Sequence, residues 1–233
     1  MEQNLDLLKQ IELSKDIPSE CARKLIEGEV DLGLVPIAII PELPESYIIS
    51  DYCIGAQGKV KSVLLLSDVP IHEIESIYLD YHSRTSVKLC ELLCEKHWEI
   101  KPQFIAAEKG FEDKISEKSA GVIIGDRTFH LKKNYAYQYD LAEEWRSMTG
   151  LPFVFAAWVS NTQLPIEFVE VFNAALAEGV SKINQVAADQ ADLKISRTAL
   201  SEYLSQFISF ELDKEKREGM NLFLNYLKIS APN

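Results

Sequence analysis

Between residues 74 and 124 apolar runs alternate with helical patterns, and this alternation leaves few folds open to the chain. Ile74 to Leu79 reads as a strand and Ser86 to Lys96 as a helix. Gln103 to Ala107 is again a strand, Phe111 to Lys118 a short helix, and Ala120 to Ile124 a strand running into Gly125-Asp126. Strands that alternate with helices imply a mainly parallel sheet. Upstream, Pro18 to Ile26 is helical, with Pro18 in the first turn and Gly28 as the stop. Val30 to Ile40 is almost continuously apolar, which predicts a buried parallel strand ending at Pro36. Ile11 to Ile17, Tyr47 to Ile54 and Val60 to Ser67 are further extended candidates, the last two joined by Gly55-Ala-Gln-Gly58. Leu151 to Val159 is apolar. Helices are expected over Ile166 to Val186, Ser196 to Phe207 and Asp213 to Leu227, with Ser209 to Leu212 between the last two. The fold class is α/β, with two α/β units and a cleft between them.

The segment Asp80-Tyr-His-Ser-Arg-Thr-Ser-Val-Lys-Leu89 carries the clearest chemistry. An apolar strand ends there in hydroxyls and one guanidinium, and a helix begins. Ser83, Thr85 or Ser86 can cap that helix. Unused backbone N–H groups and the positive end of the helix dipole then suit a carboxylate or phosphate. The same pattern also fits an ordinary capped surface helix. Four polar turns follow apolar strands: after Val35-Pro36, at Gly55 to Ser62, at Ser83 to Ser86 and at Gly125-Asp126. In open α/β sheets ligands lie beyond the carboxyl ends of strands, so these turns are candidates to line one cleft.

Charge narrows the function classes. The chain of 233 residues has a formal net charge of −12, which argues against nucleic acid and against an anionic membrane as partners. No stretch is long and apolar enough to span a bilayer. The acidic start, Met1 to Lys9, is unlike a leader peptide, so a cytoplasmic protein is expected. Cys21, Cys53, Cys90 and Cys94 lack zinc-ribbon spacing. Cys90, Cys94 and His97 share a helical face that reads either as a metal-ligating row or as core, free cysteine being a small hydrophobe. With no Gly-rich dinucleotide turn and no phosphate loop, the sequence implies no cofactor.

Several ordered motifs together resemble the chorismate dehydratase family of the futalosine route to menaquinone. They are Asp31-Leu-Gly-Leu-Val-Pro36, Cys53-Ile-Gly-Ala-Gln-Gly-Lys-Val-Lys-Ser-Val63, Ser83-Arg-Thr-Ser86, Ile124-Gly-Asp126, Tyr139-Asp-Leu-Ala-Glu-Glu-Trp145 and Thr149-Gly-Leu-Pro-Phe-Val-Phe155. The resemblance implies the two-lobed fold of type II periplasmic solute-binding proteins. Residues 1–73 and 152–233 would form lobe one and residues 74–151 lobe two. It implies a hydro-lyase that converts chorismate into 3-[(1-carboxyvinyl)oxy]benzoate, without a cofactor and with a small dicarboxylate as its partner.

A dianion needs two anion-binding loci. Ser83, Thr85 and Ser86 match one, and Arg84 could grip a carboxylate or pair with an acid of its own lobe. Lys61 and Ser62 lie on a second turn, although Lys61 also reads as a solvated lysine. Asp126 could accept from a substrate hydroxyl or cap the next element. Thr149 and Gly150 precede the return crossing, where a hinge could bring them to the ligand. Candidate bases are few, His82 and Asp126, so a carboxylate of the substrate itself could take the proton. The family opens with a strand carrying Ser-Tyr-Leu-Asn, whose Asn faces the substrate. This sequence starts Met1-Glu-Gln-Asn-Leu5, so the first strand of lobe one is expected to be missing, and Asn4 does not inherit the role. An upstream start, a truncation and a lost activity would each explain that, and the competence of this form stays open. Other readings are a non-catalytic binding protein for a small carboxylate, the naphthoate-forming enzyme of the same route, and an effector domain lacking its DNA-binding module.

Overall fold

The computed structural model describes residues 4–81, 83–131, 133–189 and 195–230. It opens with a short helix, α1 (Leu5–Leu8), whose N-cap Asn4 accepts the Leu7 N–H at 2.9 Å. Ile11 to Ile17 forms no strand and is largely exposed. Helix α2 (Pro18–Ile26) follows, begun by its proline and stopped before Gly28, which takes φ +71°.

Strand β1 (Leu32–Pro36) is shorter than the apolar run around it, and Ile37–Glu42 continues as a 3-10 turn. The strand β2 (Tyr47–Ala56) comes next, and β3 (Val63–Ser67) follows the turn at 57–62. Then come β4 (Ser76–Leu79), α3 (Arg84–Lys96), β5 (Gln103–Ala106), a 3-10 turn at Phe111–Lys114 and β6 (Ser119–Ile124). A second 3-10 turn, Gly125–His130, leads to β7 (Tyr137–Asp140) and α4 (Leu141–Thr149). The C-terminal third holds β8 (Phe153–Ser160), α5 (Ile166–Ser181), α6 (Ile183–Asp189), α7 (Arg197–Glu202), a π-turn at Tyr203–Phe207, β9 (Ser209–Glu211) and α8 (Lys214–Ser230). The helix expected over Ile166 to Val186 is therefore broken at Lys182, where the backbone leaves helical geometry.

The strands form two sheets, one of four strands in the order β1-β8-β2-β9 and one of five in the order β5-β4-β6-β3-β7. Two expectations need correction. The run around β1 was read as a buried parallel strand, yet β1 lies at a sheet edge and pairs antiparallel with β8, Leu32 opposite Ser160. Its apolar character comes from cover by α2 and by the turn that follows it, and burial on two faces does not encode strand direction. Second, β3 was placed with residues 1–73, but it pairs with β6 and β7 in the other sheet. The first crossing between sheets thus falls in residues 57–62, and the chain returns between α4 and β8. Among the described residues only the β5-β4-β6 part is parallel; the remaining pairs in both sheets are antiparallel.

One apolar core runs across both sheets. Leu25, Val35, Ile37, Leu65, Ile77, Leu89, Trp145, Phe153 and Phe223 all belong to it. Period-two alternation divides β3: Leu65 faces this core, while Leu64 and Leu66 face a smaller cluster with Phe111, Ile115 and Ile123. Trp145 of α4 is fully buried and meets Phe153 and Phe223 edge-to-face at 5.3 and 6.0 Å. Each such pair adds about 0.5–1.5 kcal/mol beyond its burial, which holds the return crossing firmly to α8. Leu7, Ile49, Phe172 and Ala175 fill a third cluster, under α5.

Candidate functional site

Ser83 begins α3 in an extended conformation, and its Oγ accepts the Ser86 N–H at 3.3 Å and the Ser86 hydroxyl at 3.1 Å. This is the N-cap that a Ser before a helical run predicts. Thr85 and Ser86 are both buried. The Thr85 hydroxyl accepts the Ala38 N–H at 3.1 Å, so it is engaged with the turn that follows β1. Arg84 pairs with Glu42 at 2.7 Å, an acid on that same turn rather than one from its own half of the molecule.

The turn after β6 joins the same group through Arg127. Its guanidinium bridges buried Asp80, at the end of β4, and Glu112, the latter at 3.0 Å, and it lies against the rings of Tyr81 and Phe111. Asp126 is exposed beside it. Gly125 donates its N–H to the Ser62 carbonyl at 2.8 Å, continuing the β3–β6 pairing in which Val63 faces Ile124.

At the crossing turn Lys61 holds φ +64°, a left-handed conformation uncommon for a residue with a side chain. What keeps it there is Asp140. One carboxylate oxygen accepts the Val60 and Lys61 N–H groups at 2.9 and 2.6 Å, and the other caps α4 through Ala142 and Glu143. Burial pushes the Asp140 carboxyl up, and these N–H bonds oppose it without fully cancelling it. The Lys61 ammonium sits 3.8 Å from the centre of the Phe207 ring and 3.7 Å from Glu202. Ser62 accepts a 2.7 Å hydrogen bond from the Tyr203 hydroxyl.

Three contacts thus join all four polar turns: Ala38 with Thr85, Asp80 with Arg127, and Gly125 with Ser62. Ser83, Arg84, Thr85, Ser86, Lys61, Ser62 and Asp126 all lie on this joined set. Thr149 and Gly150 do not. They end α4, whose first residue follows Asp140, and nine helical residues span about 13 Å. The Thr149 hydroxyl is used locally, donating to the Trp145 carbonyl at 2.8 Å and accepting the Leu151 N–H at 3.1 Å. Gly150 takes φ +76° as the C-terminal cap. His82 lies outside the described residues.

Sequence reasoning missed Arg127, Asp140 and Tyr203. Asp140 had a readable signal, a carboxylate ahead of Leu-Ala-Glu-Glu, the composition of a helix start. Arg127 followed a flagged Gly-Asp pair. Nothing local marked Tyr203, which arrives from the far end of the chain.

The row Cys90, Cys94 and His97 packs inward. Both thiols are buried, and the hydrogen bond that the Cys90 thiol donates to Cys94, together with burial, pushes Cys90 well above the usual thiol range. His97 Nε2 lies 3.0 Å from Glu144, to which Trp98 Nε1 also donates at 3.3 Å. Among the described residues no three His, Cys, Asp or Glu side chains gather to hold a metal, and no helix is long and apolar enough to cross a membrane. An open groove of about 620 Å³ runs past Tyr52, Asn184, Leu204 and Phe210.

Lys61, Arg84 and Arg127 each face carboxylates. The Arg84–Glu42 and Lys61–Glu202 pairs have side chains 45–51% exposed, so water competes for them and an incoming anion can exchange with either glutamate. The Arg127–Asp80 pair has a fully buried acid and acts as a fastener.

Two relatives are named chorismate dehydratase. The one from Thermus thermophilus is 28% identical, with 91% of this chain and 85% of that protein covered. The one from Campylobacter jejuni is 25% identical, with 88% and 98% covered. Among solved structures, a protein from Archaeoglobus fulgidus superposes with a TM-score of 0.69 at 14% identity, covering 94% of this chain and 85% of that one. A Candida albicans protein described as exhibiting the generic periplasmic binding protein structural fold gives 0.65 at 11% identity, covering 98% and 87%. The fold is therefore the two-lobed, periplasmic-binding-protein-like one. A profile of the family described as menaquinone biosynthesis matches residues 3–228, and the chain belongs to that family.

Proposed function

We propose that this chain is a chorismate dehydratase, a carbon–oxygen lyase that removes water from chorismate to give 3-[(1-carboxyvinyl)oxy]benzoate in the futalosine route to menaquinone. The names of the two relatives from Thermus thermophilus and Campylobacter jejuni support the reaction. The observation that carries the reading is the joining of four polar turns from both sheets into one cluster that holds Arg84 and Lys61 in exchangeable ion pairs. A substrate with two carboxylates replaces Glu42 on Arg84 and Glu202 on Lys61, and the hydroxyls around Ser62 and Ser83 add hydrogen bonds. Exposed pairs are each worth at most about 1 kcal/mol, so the exchange costs little.

Dehydration breaks one ring C–H bond and one ring C–O bond. The C–H electron pair completes the aromatic ring, and the proton and hydroxide leave as water. The carboxylates of Asp80 and Asp140 are committed, one to Arg127 and the other to four backbone N–H groups. Asp126 is exposed. We assign proton removal to the enolpyruvyl carboxylate of the substrate, and to the protein the work of orientation and water exclusion. An analogue lacking that carboxylate, with binding confirmed, should not turn over; turnover would eliminate the substrate's role as base.

The test of the whole reading is incubation with chorismate, with the product followed by chromatography. Formation of the aromatic enol ether is expected. Chorismate binding without any product would make the chain a binding protein for a small carboxylate instead.

A further inference from the structure

The segment Tyr203–Phe207 is a π-turn, closed by the Ile208 N–H on the Tyr203 carbonyl at 3.1 Å. Such turns are rare and collect at functional sites. It leads directly into β9, which is bonded to β2, so its backbone is fixed to the first sheet. Its side chains reach the other half. The Tyr203 ring meets Phe129 edge-to-face at 5.1 Å, and its hydroxyl lies 2.7 Å from Ser62 Oγ. Phe207 offers its ring to the Lys61 ammonium.

Ser62 is 4% exposed. A serine hydroxyl has one proton and two lone pairs, and its proton rotates to suit its neighbours. The Tyr203 proton takes one lone pair, which removes the orientations in which Ser62 would donate back to Tyr203. We infer that Tyr203 is a positioning residue: by donating to Ser62 it sets the serine hydroxyl to present its own proton to a substrate carboxylate bound at the joined turns. Donor chains of this kind polarise one another, so the outer bond is stronger than a lone serine would make. Burial, partly offset by the Ser62 bond, holds the Tyr203 phenol above its ordinary range, so it remains a donor at neutral pH. The inference rests on the reading that this cluster receives a small dianion.

The experiment is calorimetric titration of the full chain with chorismate, run beside turnover, for the wild type, Tyr203→Phe, Ser62→Ala and the double variant. Tyr203→Phe keeps the ring against Phe129, and thermal melting of each variant shows that it is folded. Both single variants should bind chorismate about tenfold more weakly, the loss of one hydrogen bond to a charged group. The double variant should bind no more weakly than Ser62→Ala alone, because Tyr203 acts only through Ser62. A merely structural tyrosine would give additive losses, and additive losses overturn the inference, as does unchanged binding in Tyr203→Phe. A wild type that binds chorismate without turning it over sinks the dehydratase reading, while the binding comparison still decides the role of Tyr203. A wild type that binds no chorismate overturns both.

Discussion

The backbone N–H of Ala38 donates to Thr85 Oγ1 at 3.1 Å, closing a separation of 47 residues. The donor sits just past the end of β1, and the acceptor in the first turn of α3, fully buried. This bond makes the Ser83–Ser86 turn continuous with the first sheet. Thr85→Ala or Thr85→Val should cost about 1–3 kcal/mol in denaturant unfolding, because it leaves a buried N–H without a partner. Thr85→Ser keeps the acceptor and should lose less than half of that. The same order is expected for turnover, since the bond sets the distance between Arg84 and the first sheet.

Arg84 and Glu42 make the second link between these segments, and it differs in kind. Both side chains are about half exposed, so the pair contributes little to stability. Under the proposed function its consequence is competition, because Glu42 occupies the guanidinium assigned to a substrate carboxylate. Glu42→Gln should therefore lower the KM for chorismate by about two- to fivefold with the melting temperature nearly unchanged, whereas Arg84→Ala should raise it. Steady-state kinetics at low and high salt provide the check. A KM that rises in Glu42→Gln would mean that Glu42 positions Arg84 instead of competing for it.

These two contacts also show what the sequence disclosed and what it withheld. The capped turn at Ser83 was readable because capping is local, and the hydroxyls precede the helix they serve. The helix Pro18–Ile26 was readable residue for residue, with its proline start and glycine stop. Strand direction was not readable in β1, because a run covered on both faces looks the same in either orientation. Nor was the sheet membership of β3, which depends on pairing with β6 and β7, 55 to 76 residues away. The partners of Arg84 and Ser62 were hidden for the same reason: Glu42 and Tyr203 become neighbours only once both sheets are built.

Gly219, inside α8, answers to another long-range approach. A Cβ built there would lie 2.2 Å from the Pro152 carbonyl oxygen, a backbone atom that cannot step aside. Helix α8 must run this close to the return crossing for Phe223 to meet Trp145 and Phe153. An alanine normally favours a helix interior over glycine by roughly 1 kcal/mol. Here Gly219→Ala should instead destabilise by about 1–3 kcal/mol, since overpacking pushes the helix off the crossing. Urea unfolding measures this, and a stabilised variant would show that α8 is free to shift.

The start of α8 predicts how the protein responds to acid. Lys216 is fully buried, and its ammonium donates to the Glu211 carbonyl and to Asp213 at 2.9 Å. Burial pushes the Asp213 carboxyl up, but hydrogen bonds from the Lys216 backbone and ammonium, with the positive charge, outweigh it and hold the carboxyl below 3.8. A carboxyl depressed in the folded state contributes stability that is complete above its unfolded value and is lost as pH falls through the folded one. The contribution is therefore constant from neutral pH down to about 4 and declines below it. Asp213 is about a third exposed, so solvent screening limits the effect to about 1 kcal/mol. Asp213→Asn should have a shallower loss of stability below about pH 4 than the wild type, read from denaturation midpoints. Lys216→Met should flatten the same limb, because without the ammonium Asp213 titrates nearer its unfolded value. An acid limb as steep as the wild type's in both variants would assign it to other carboxylates.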